Sequence, residues 1–456
     1  MRPSHPLLDP ARLEATLAAE RAAYAHAHPR SQAAARQAEA SLLFGLPLHW
    51  MRDWGLPFPL LIERAEGATV HTLDGQALDD FCLGDTAAMF GHAPPAVVAA
   101  VQRQIARGST AMLPSEDAAA VGALLQARFG LPQWQFALSA SDANRFLLRW
   151  LRAATGRRRL LVFDGCYHGT VDDCFVDLDD DGRPTMRPSL LGQVQDLRGS
   201  TTVLPFNDLD ALEAALAEGD VACLLAEPAL TNCGMVLPEP GFWPAARALL
   251  DRHEVPLIAD ETHTLSAGPG GWCRAQGLRP DALVVGKALG SGLPVAAYGF
   301  SARWAEAAMV AKLAAAPGHS GIGTTLSGHR AGLAAMRATL ETLMTPAVYA
   351  GMLARGARLA DGLERLIGIR GLPWSVSRLG ARCELQYGPR PPRNGKEAAA
   401  QFDDRLDAWL HLALLNRGVL LTPFHSMMLI SPATQDAQVD HLLDALDQAL
   451  DTLAAA

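Results

Sequence analysis

A chain of 456 residues with a net charge of −9 offers no electrostatic reason to bind nucleic acid or an anionic membrane, and it has room for one large core and a smaller one. Apolar residues make up 49% and charged residues 19%, which excludes a disordered chain, and no run approaches the roughly 20 unbroken apolar residues of a membrane span. The seven cysteines, an odd number scattered from Cys82 to Cys383 without a CxxC pair, predict reduced thiols in a cytoplasmic protein, with neither a disulfide frame nor a zinc site.

The first predicted element is an Ala-rich, charge-studded helix carrying Glu14, Glu20, Arg21, Arg36 and Glu39, without the apolar core of a signal peptide. A stretch rich in tryptophan follows before Pro57: Leu48-His49-Trp50-Met51-Arg52-Asp53-Trp54. From about residue 94, short apolar runs alternate with helical patterns. Predicted strands are Gln135–Leu138, Leu160–Phe163, Cys223–Ala226, Leu257–Ala259, Leu283–Val285 and Ala296–Phe300. Helices Pro95–Arg107, Asp117–Phe129 and Trp243–Arg252 fall between them. That rhythm predicts an α/β fold with a parallel sheet covered on both faces. After about 326 the pattern turns to long helices with a few strands, a smaller α+β unit. It ends in a helix capped by Thr434, with Val439, Leu442, Leu443, Leu446, Leu450 and Leu453 on one face. The expected partition is an N-terminal segment of residues 1–75, a large domain of 76–325 and a small domain of 326–456.

Three suggestive motifs fail on inspection. Asp177, Asp179, Asp181 and Gly182 open like an EF-hand loop, but Pro188 stands where the bidentate Glu belongs. Gly321-Ile322-Gly323 lacks the last glycine of a dinucleotide fingerprint, and Gly318-His319-Ser320-Gly321 lacks the fifth residue of a nucleophile elbow.

Lysine usage says more. Of 39 basic side chains only Lys287, Lys312 and Lys396 are lysines. Lys312 falls in an Ala-rich helix and Lys396 in a Pro/Gly/Asn loop, both suited to surface charge. Lys287 follows the apolar strand Ala282–Val285 and precedes Ala288-Leu289-Gly290-Ser291-Gly292. Burial lowers an amine's pKa and makes it a nucleophile toward an aldehyde, although a strand-end lysine can also simply snorkel to solvent. Asp260 ends the preceding apolar strand and is followed by Glu261, Thr262 and His263. A buried carboxylate there needs a cationic partner, such as a protonated pyridine nitrogen; the alternative is a helix cap. Ser139-Ala140-Ser141-Asp142-Ala143-Asn144 lies between a strand and a helix, where small residues let amides and hydroxyls wrap a phosphate. Asp164-Gly165-Cys166-Tyr167-His168-Gly169 follows the next strand and offers an aromatic ring to a planar cofactor.

Together, in this order and spacing, these segments resemble the class III pyridoxal-phosphate aminotransferases, especially the glutamate-1-semialdehyde aminomutase branch. The matching stretches also include Asp74-Gly75, Gly91-His92, residues 227–234, Thr325-Leu326-Ser327-Gly328 and residues 418–432. The resemblance implies a fold-type I, aspartate aminotransferase-like enzyme: a mostly parallel central sheet in the large domain, a small C-terminal α+β domain, and a homodimer with its active site at the subunit interface. It implies pyridoxal 5′-phosphate as cofactor and no metal.

Carried over, Lys287 joins the cofactor as a Schiff base and later moves the proton, Asp260 pairs with the pyridine nitrogen, and Tyr167 stacks on the ring beside His168. Thr262 is expected on the other face with His263 nearby, Ser139, Ala140 and Ser141 at the phosphate, and Thr325 at the phosphate of the neighbouring subunit. Asn232 is expected near the cofactor's phenolic oxygen or the substrate. Substrate contacts are expected from His49, Trp50, Arg52 and His425, with Arg52 as carboxylate clamp, because Thr422-Pro423-Phe424-His425 lacks the arginine that many relatives carry. The implied activity is amino transfer between an amine or amino acid and a keto or aldehyde acceptor. Aminomutase, racemase, decarboxylase or phospholyase chemistry on the same scaffold is the main alternative, and a non-catalytic relative that only binds the cofactor is a remote one.

Overall fold

The computed structural model describes residues 9–455. They divide into two compact units, one made of Pro95–Tyr349 with Pro392–Ala400 and the other of the remaining described chain. These bounds differ from the expected partition at 75/76 and 325/326. Strand Ala77–Asp80 pairs with Thr69–Thr72 and with Val419–Leu420, which keeps it with the N-terminal segment. Helix Arg330–Thr342 packs on Pro95–Ile105 and Glu116–Phe129, which keeps it with the large unit.

The large unit is built on seven strands: β1 (Gln133–Ala137), β2 (Arg159–Phe163), β3 (Thr201–Leu204), β4 (Val221–Ala226), β5 (Leu257–Asp260), β6 (Ala282–Val285) and β7 (Ala296–Phe300). Their order across the sheet is β1-β7-β6-β5-β4-β2-β3. Neighbours from β6 to β3 are parallel, whereas β7 runs antiparallel to both β6 and β1. The reason is the short connection, 286–295, between β6 and β7. A parallel crossover needs a dozen or more residues, so β7 must return antiparallel. Strands β4, β5, β6 and β7 are buried at every residue, as expected of a sheet covered on both faces.

Helix Ala140–Thr155 shows how the covering layer is specified. Ala143, Phe146, Leu147, Leu148 and Leu151 form its buried face, Ser139 caps its start, and Gly156 ends it in a left-handed conformation at φ 67°. Among the described residues, no helix is long and apolar enough to cross a membrane.

In the other unit the N-terminal helical region is two helices, Pro10–Ala27 and Pro29–Ala38, rather than one. Pro29 disfavours helical geometry at His28 and lacks the N–H that would continue the first helix. Glu20 anchors the first helix to the end of Asp404–Asn416, accepting from Asn416 at 2.6 Å and Arg417 at 2.7 Å. Strands Ser375–Leu379, Arg382–Gln386 and Met427–Leu429 form an antiparallel sheet. The last helix starts at Asp436. Thr434 does not cap it: its hydroxyl accepts from Ser431 N in the preceding turn, and the Gln438 side chain takes the Gln435 amide instead.

Candidate active site

The carboxyl ends of β1, β2, β4, β5 and β6 lie along one edge of the sheet, where an open α/β sheet places its ligands. Lys287 leaves β6 in a 3-10 turn, Lys287–Gly290, with φ at 43°. That left-handed backbone costs a non-glycine residue about 1–2 kcal/mol, a strain of the kind found where function fixes a side chain. The preceding Gly286 lets this turn approach the start of helix Ala140–Thr155, since a Cβ there would lie 3.0 Å from the Ala140 Cβ. Lys287 is half-buried, and its Nζ lies 2.8 Å from His263 Nε2.

Asp260, at the end of the adjacent strand, is 4% exposed. Its Oδ2 accepts from Asn144 Nδ2 at 2.8 Å and pairs with His168 Nδ1 at 3.0 Å, and its Oδ1 accepts from the Thr262 amide at 3.1 Å. Burial pushes the carboxyl up, but the hydrogen bond and charge of His168 overcome it and hold the group below its ordinary value. Burial likewise opposes charge on His168, yet Cys166 and Asp260 raise its pKa to about 10. The carboxylate therefore sits charged in a buried pair.

Ser139 begins the loop after β1 with its side chain accepting from Asp142 N. The amides of Ala140 and Ser141 lie in the first helical turn, where N–H groups have no intrahelical acceptor and suit an anion. Ser141 Oγ accepts from Thr170 N at 3.1 Å, and only a glycine fits beside it, because a Cβ on Gly169 would fall 1.9 Å from that oxygen. Tyr167, in the same loop, is 42% exposed. The Thr262 hydroxyl is buried with no hydrogen-bond partner.

Two participants escaped the sequence reading. Asn144 is buried on the apolar face of its helix, and its one orphaned atom there is Oδ1. An amide in register with Leu147, Leu148 and Leu151 was the available signal. Glu227, just past β4, is buried and takes hydrogen bonds from the amide (3.2 Å) and hydroxyl of Thr231, with the Asn232 amide 3.5 Å away. Burial raises its pKa from 4.5 to about 7. The folded chain therefore holds a proton that the unfolded chain releases, and stability falls as pH rises from about 4.5 to about 7. Glu227→Gln, which mimics the protonated acid, is expected to flatten that loss, worth about 1–3 kcal/mol, in unfolding measured at pH values below and above this window. An unchanged pH profile would show that Glu227 is not the group responsible.

Other sequence expectations fall in the second unit or at exposed positions. His49, Trp50 and Arg52 share the exposed 3-10 turn His49–Asp53. Arg52 lies over the Phe44 ring at 5.5 Å, not over Trp50 or Trp54, while Trp50 meets Trp54 at 5.6 Å and the edge of Phe424 at 6.5 Å. His425 is buried, with Nδ1 3.0 Å from Glu384 Oε1. Thr325 is exposed in a loop, and Asn232 is half-buried. Lys396 belongs to a short helix, Gly395–Gln401, and not to a loop, because Asn394 accepts from the Glu397 amide and starts a turn. The acidic stretch at 177–181 is a hairpin turn, in which Asp179 accepts from the Asp181 and Arg183 amides at 3.0 and 2.8 Å.

The donor set suits pyridoxal 5′-phosphate. A primary amine stands for its aldehyde, a buried carboxylate held charged stands for its ring nitrogen, and a helix start with two first-turn amides stands for its phosphate.

Residues 50–450 match the family model for class-III aminotransferases. A glutamate-1-semialdehyde 2,1-aminomutase from Desulfitobacterium hafniense is 31% identical over 87% of this chain and 91% of its own length. A glutamate-1-semialdehyde aminomutase from Pseudomonas aeruginosa PAO1 superposes with a TM-score of 0.96 at 47% identity, covering 98% of this chain and 99% of that one. A lysine-to-alanine form of that protein has been solved in complex with PMP. An omega-transaminase from Sphaerobacter thermophilus superposes with a TM-score of 0.84 at 28% identity, covering 93% and 98%. The chain belongs to the class-III aminotransferases, fold-type I enzymes whose cofactor is pyridoxal 5′-phosphate.

Proposed function

We propose that the chain transfers an amino group from an amine or amino acid to a keto or aldehyde acceptor, with Lys287 as the residue that carries and releases the cofactor. The observation that carries this reading is the placement of the charged, buried Asp260 at the end of β5 and of Lys287 just after the neighbouring parallel β6, at one sheet edge.

When bound, pyridoxal phosphate supplies an aldehyde that condenses with amines and a ring that takes up the electron pair left by a departing proton. Asp260, kept anionic by His168, would hold the ring nitrogen protonated. Ser139 and the amides of Ala140 and Ser141 would hold the phosphate, and Tyr167 and Thr262 would hold the ring. Lys287 would hold the cofactor through its amine, and its Nζ would move the α-proton of the substrate. Asn232, its amide near Glu227, orients the phenolic oxygen or the substrate.

The chain acts as a homodimer in this reading, with Thr325 serving the phosphate of the neighbouring subunit. Its exposure supports this, as do apolar side chains such as Leu43, Met112 and Leu113, which are 79%, 80% and 73% exposed. Arg52 is the proposed clamp for a substrate carboxylate, in the company of His49, Trp50 and His425.

A second reading, intramolecular amino transfer, is favoured by the aminomutase names of the relatives at 31% and 47% identity. Both readings are separated by offering donors to the holoenzyme and following the absorbance of the bound cofactor. Transfer requires that a donor alone convert the aldehyde form to the amine form once, and that further turnover need a separate acceptor. Sustained turnover of a single substrate without acceptor would assign the aminomutase reaction instead. In the same assay Arg52→Lys is expected to impair carboxylate-bearing donors selectively, since a point charge replaces a planar fork. Equal losses for donors without a carboxylate would remove Arg52 from the site.

A further inference from the structure

We infer that His263 is the proton partner of Lys287: its Nε2 takes the proton that the amine must shed before it reacts and returns it when the amine is next charged. The inference rests on the reading of Lys287 as the cofactor-bearing residue and adds a group that works on the lysine, not on the substrate.

The two atoms are 2.8 Å apart, with His263 only 5% exposed and Lys287 half-buried. A contact this short between an amine and an imidazole nitrogen needs a hydrogen between them, so one of the two donates and the other accepts. Acceptance by Nε2 places the ring's own hydrogen on Nδ1. The step is then one proton crossing one contact. Lys287 ammonium and neutral His263 become Lys287 amine and His263 imidazolium, and the reverse transfer recharges the amine. No electron and no further reactant is involved.

The imidazole stands on a backbone that cannot drift. His263 leads into the 3-10 turn Thr264–Ala267, whose first three residues are buried. Its carbonyl accepts from the Ser266 hydroxyl at 3.2 Å, and the Leu265 carbonyl accepts from the Tyr349 hydroxyl at 2.9 Å. The other carboxylates of this sheet edge are engaged elsewhere. Asp260 is held by His168 and Asn144, Glu227 by Thr231, and Glu261 by the Thr264 hydroxyl and the amides of Trp272 and Cys273. On Glu261, burial raises the pKa, against those hydrogen bonds. Tyr349 is raised out of the working range by burial, with Glu261 adding to it. His263 Nε2 lies within hydrogen-bond reach of the amine and can receive its proton.

The test uses the full-length chain stripped of cofactor and mixed with pyridoxal 5′-phosphate, with covalent capture followed by absorbance and affinity measured separately at equilibrium. His263→Gln keeps a hydrogen-bond acceptor but cannot be protonated, and His263→Ala leaves a gap that a small base can enter. Both are expected to capture the cofactor about 10²-fold more slowly near neutral pH with unchanged equilibrium affinity. Imidazole added to the buffer should accelerate His263→Ala and leave the wild type unaffected. A merely structural role would shift affinity and would not respond to imidazole. Wild-type capture rates in His263→Gln, or no acceleration of His263→Ala by imidazole, would overturn the inference; should His263→Ala not fold, the nearly isosteric Gln variant decides alone. Borohydride fixation and peptide mapping separate the two levels. A label away from Lys287 defeats the underlying reading, whereas a label on Lys287 with unaltered rates defeats only the proton relay.

Discussion

Lys287→Ala is expected to lower turnover by at least about 10⁴-fold, because one change removes both the covalent handle and the base. Its effect on folding should be small, since Ala keeps the β-carbon that the left-handed backbone already strains. Lys287→Gly should go the other way in stability. With φ at 43°, glycine relieves about 1 kcal/mol of strain, so the Gly variant should unfold at a higher temperature than the Ala variant while being as inactive. A dead enzyme that is more stable is the signature of strain kept for function. The same lesion tests the dimer. A hybrid of one Lys287→Ala subunit and one Thr325→Ala subunit carries both defects in one site and leaves the other intact, provided that Thr325 crosses to the neighbour. Recovery of activity on mixing the two impaired homodimers is expected, and verified hybrids without recovery would place Thr325 within its own chain.

Asp260→Asn should cost about 10²–10³ in kcat, because a neutral amide cannot hold a proton on the ring nitrogen; a lost buried charge pair of about 3–5 kcal/mol sets the scale, at about 1.4 kcal/mol per tenfold. The variant should also be less stable, as His168 is left a buried cation without its anion. The sign with pH follows from the raised pKa of His168, about 10 against an ordinary 6.5. The stabilisation it contributes is full below about 6.5 and disappears as pH rises through about 10, so the stability gap between wild type and variant should narrow above pH 10. Turnover within a few-fold of wild type, with normal cofactor content, would remove Asp260 from the ring nitrogen. A gap that persists unchanged above pH 10 would instead deny the ion pair.

Much of this site was legible because the chemistry sits where strands stop. Lys287 and Asp260 each close an unbroken apolar run, and lysine is scarce enough in this chain that position alone separates one from three. The loop proposed to hold the phosphate stands out as small residues ahead of the face Phe146, Leu147, Leu148 and Leu151. Strand direction was not readable. The apolar run Ala296–Phe300 looks the same in either orientation, and the short connection before it decides that β7 is antiparallel. Strand β3 was missed, as Thr201-Thr202-Val203-Leu204 is too brief and too polar to stand out. Asn144 and Glu227 were passed over because their partners, Asp260 and Thr231, are set by the packing of the sheet and the loop after β4 and leave no mark on local periodicity. The Arg52 side chain rests on Phe44, eight residues away, a contact that the local pattern of residues 48–54 does not announce.

Borohydride reduction of the holoenzyme followed by peptide mapping decides whether Lys287 is the point of covalent attachment. Three lysines give three separable outcomes. One equivalent of reduced cofactor per chain is expected, on the peptide containing Lys287. A label on Lys312 or Lys396, or no fixed cofactor in a protein that has bound it, would contradict it.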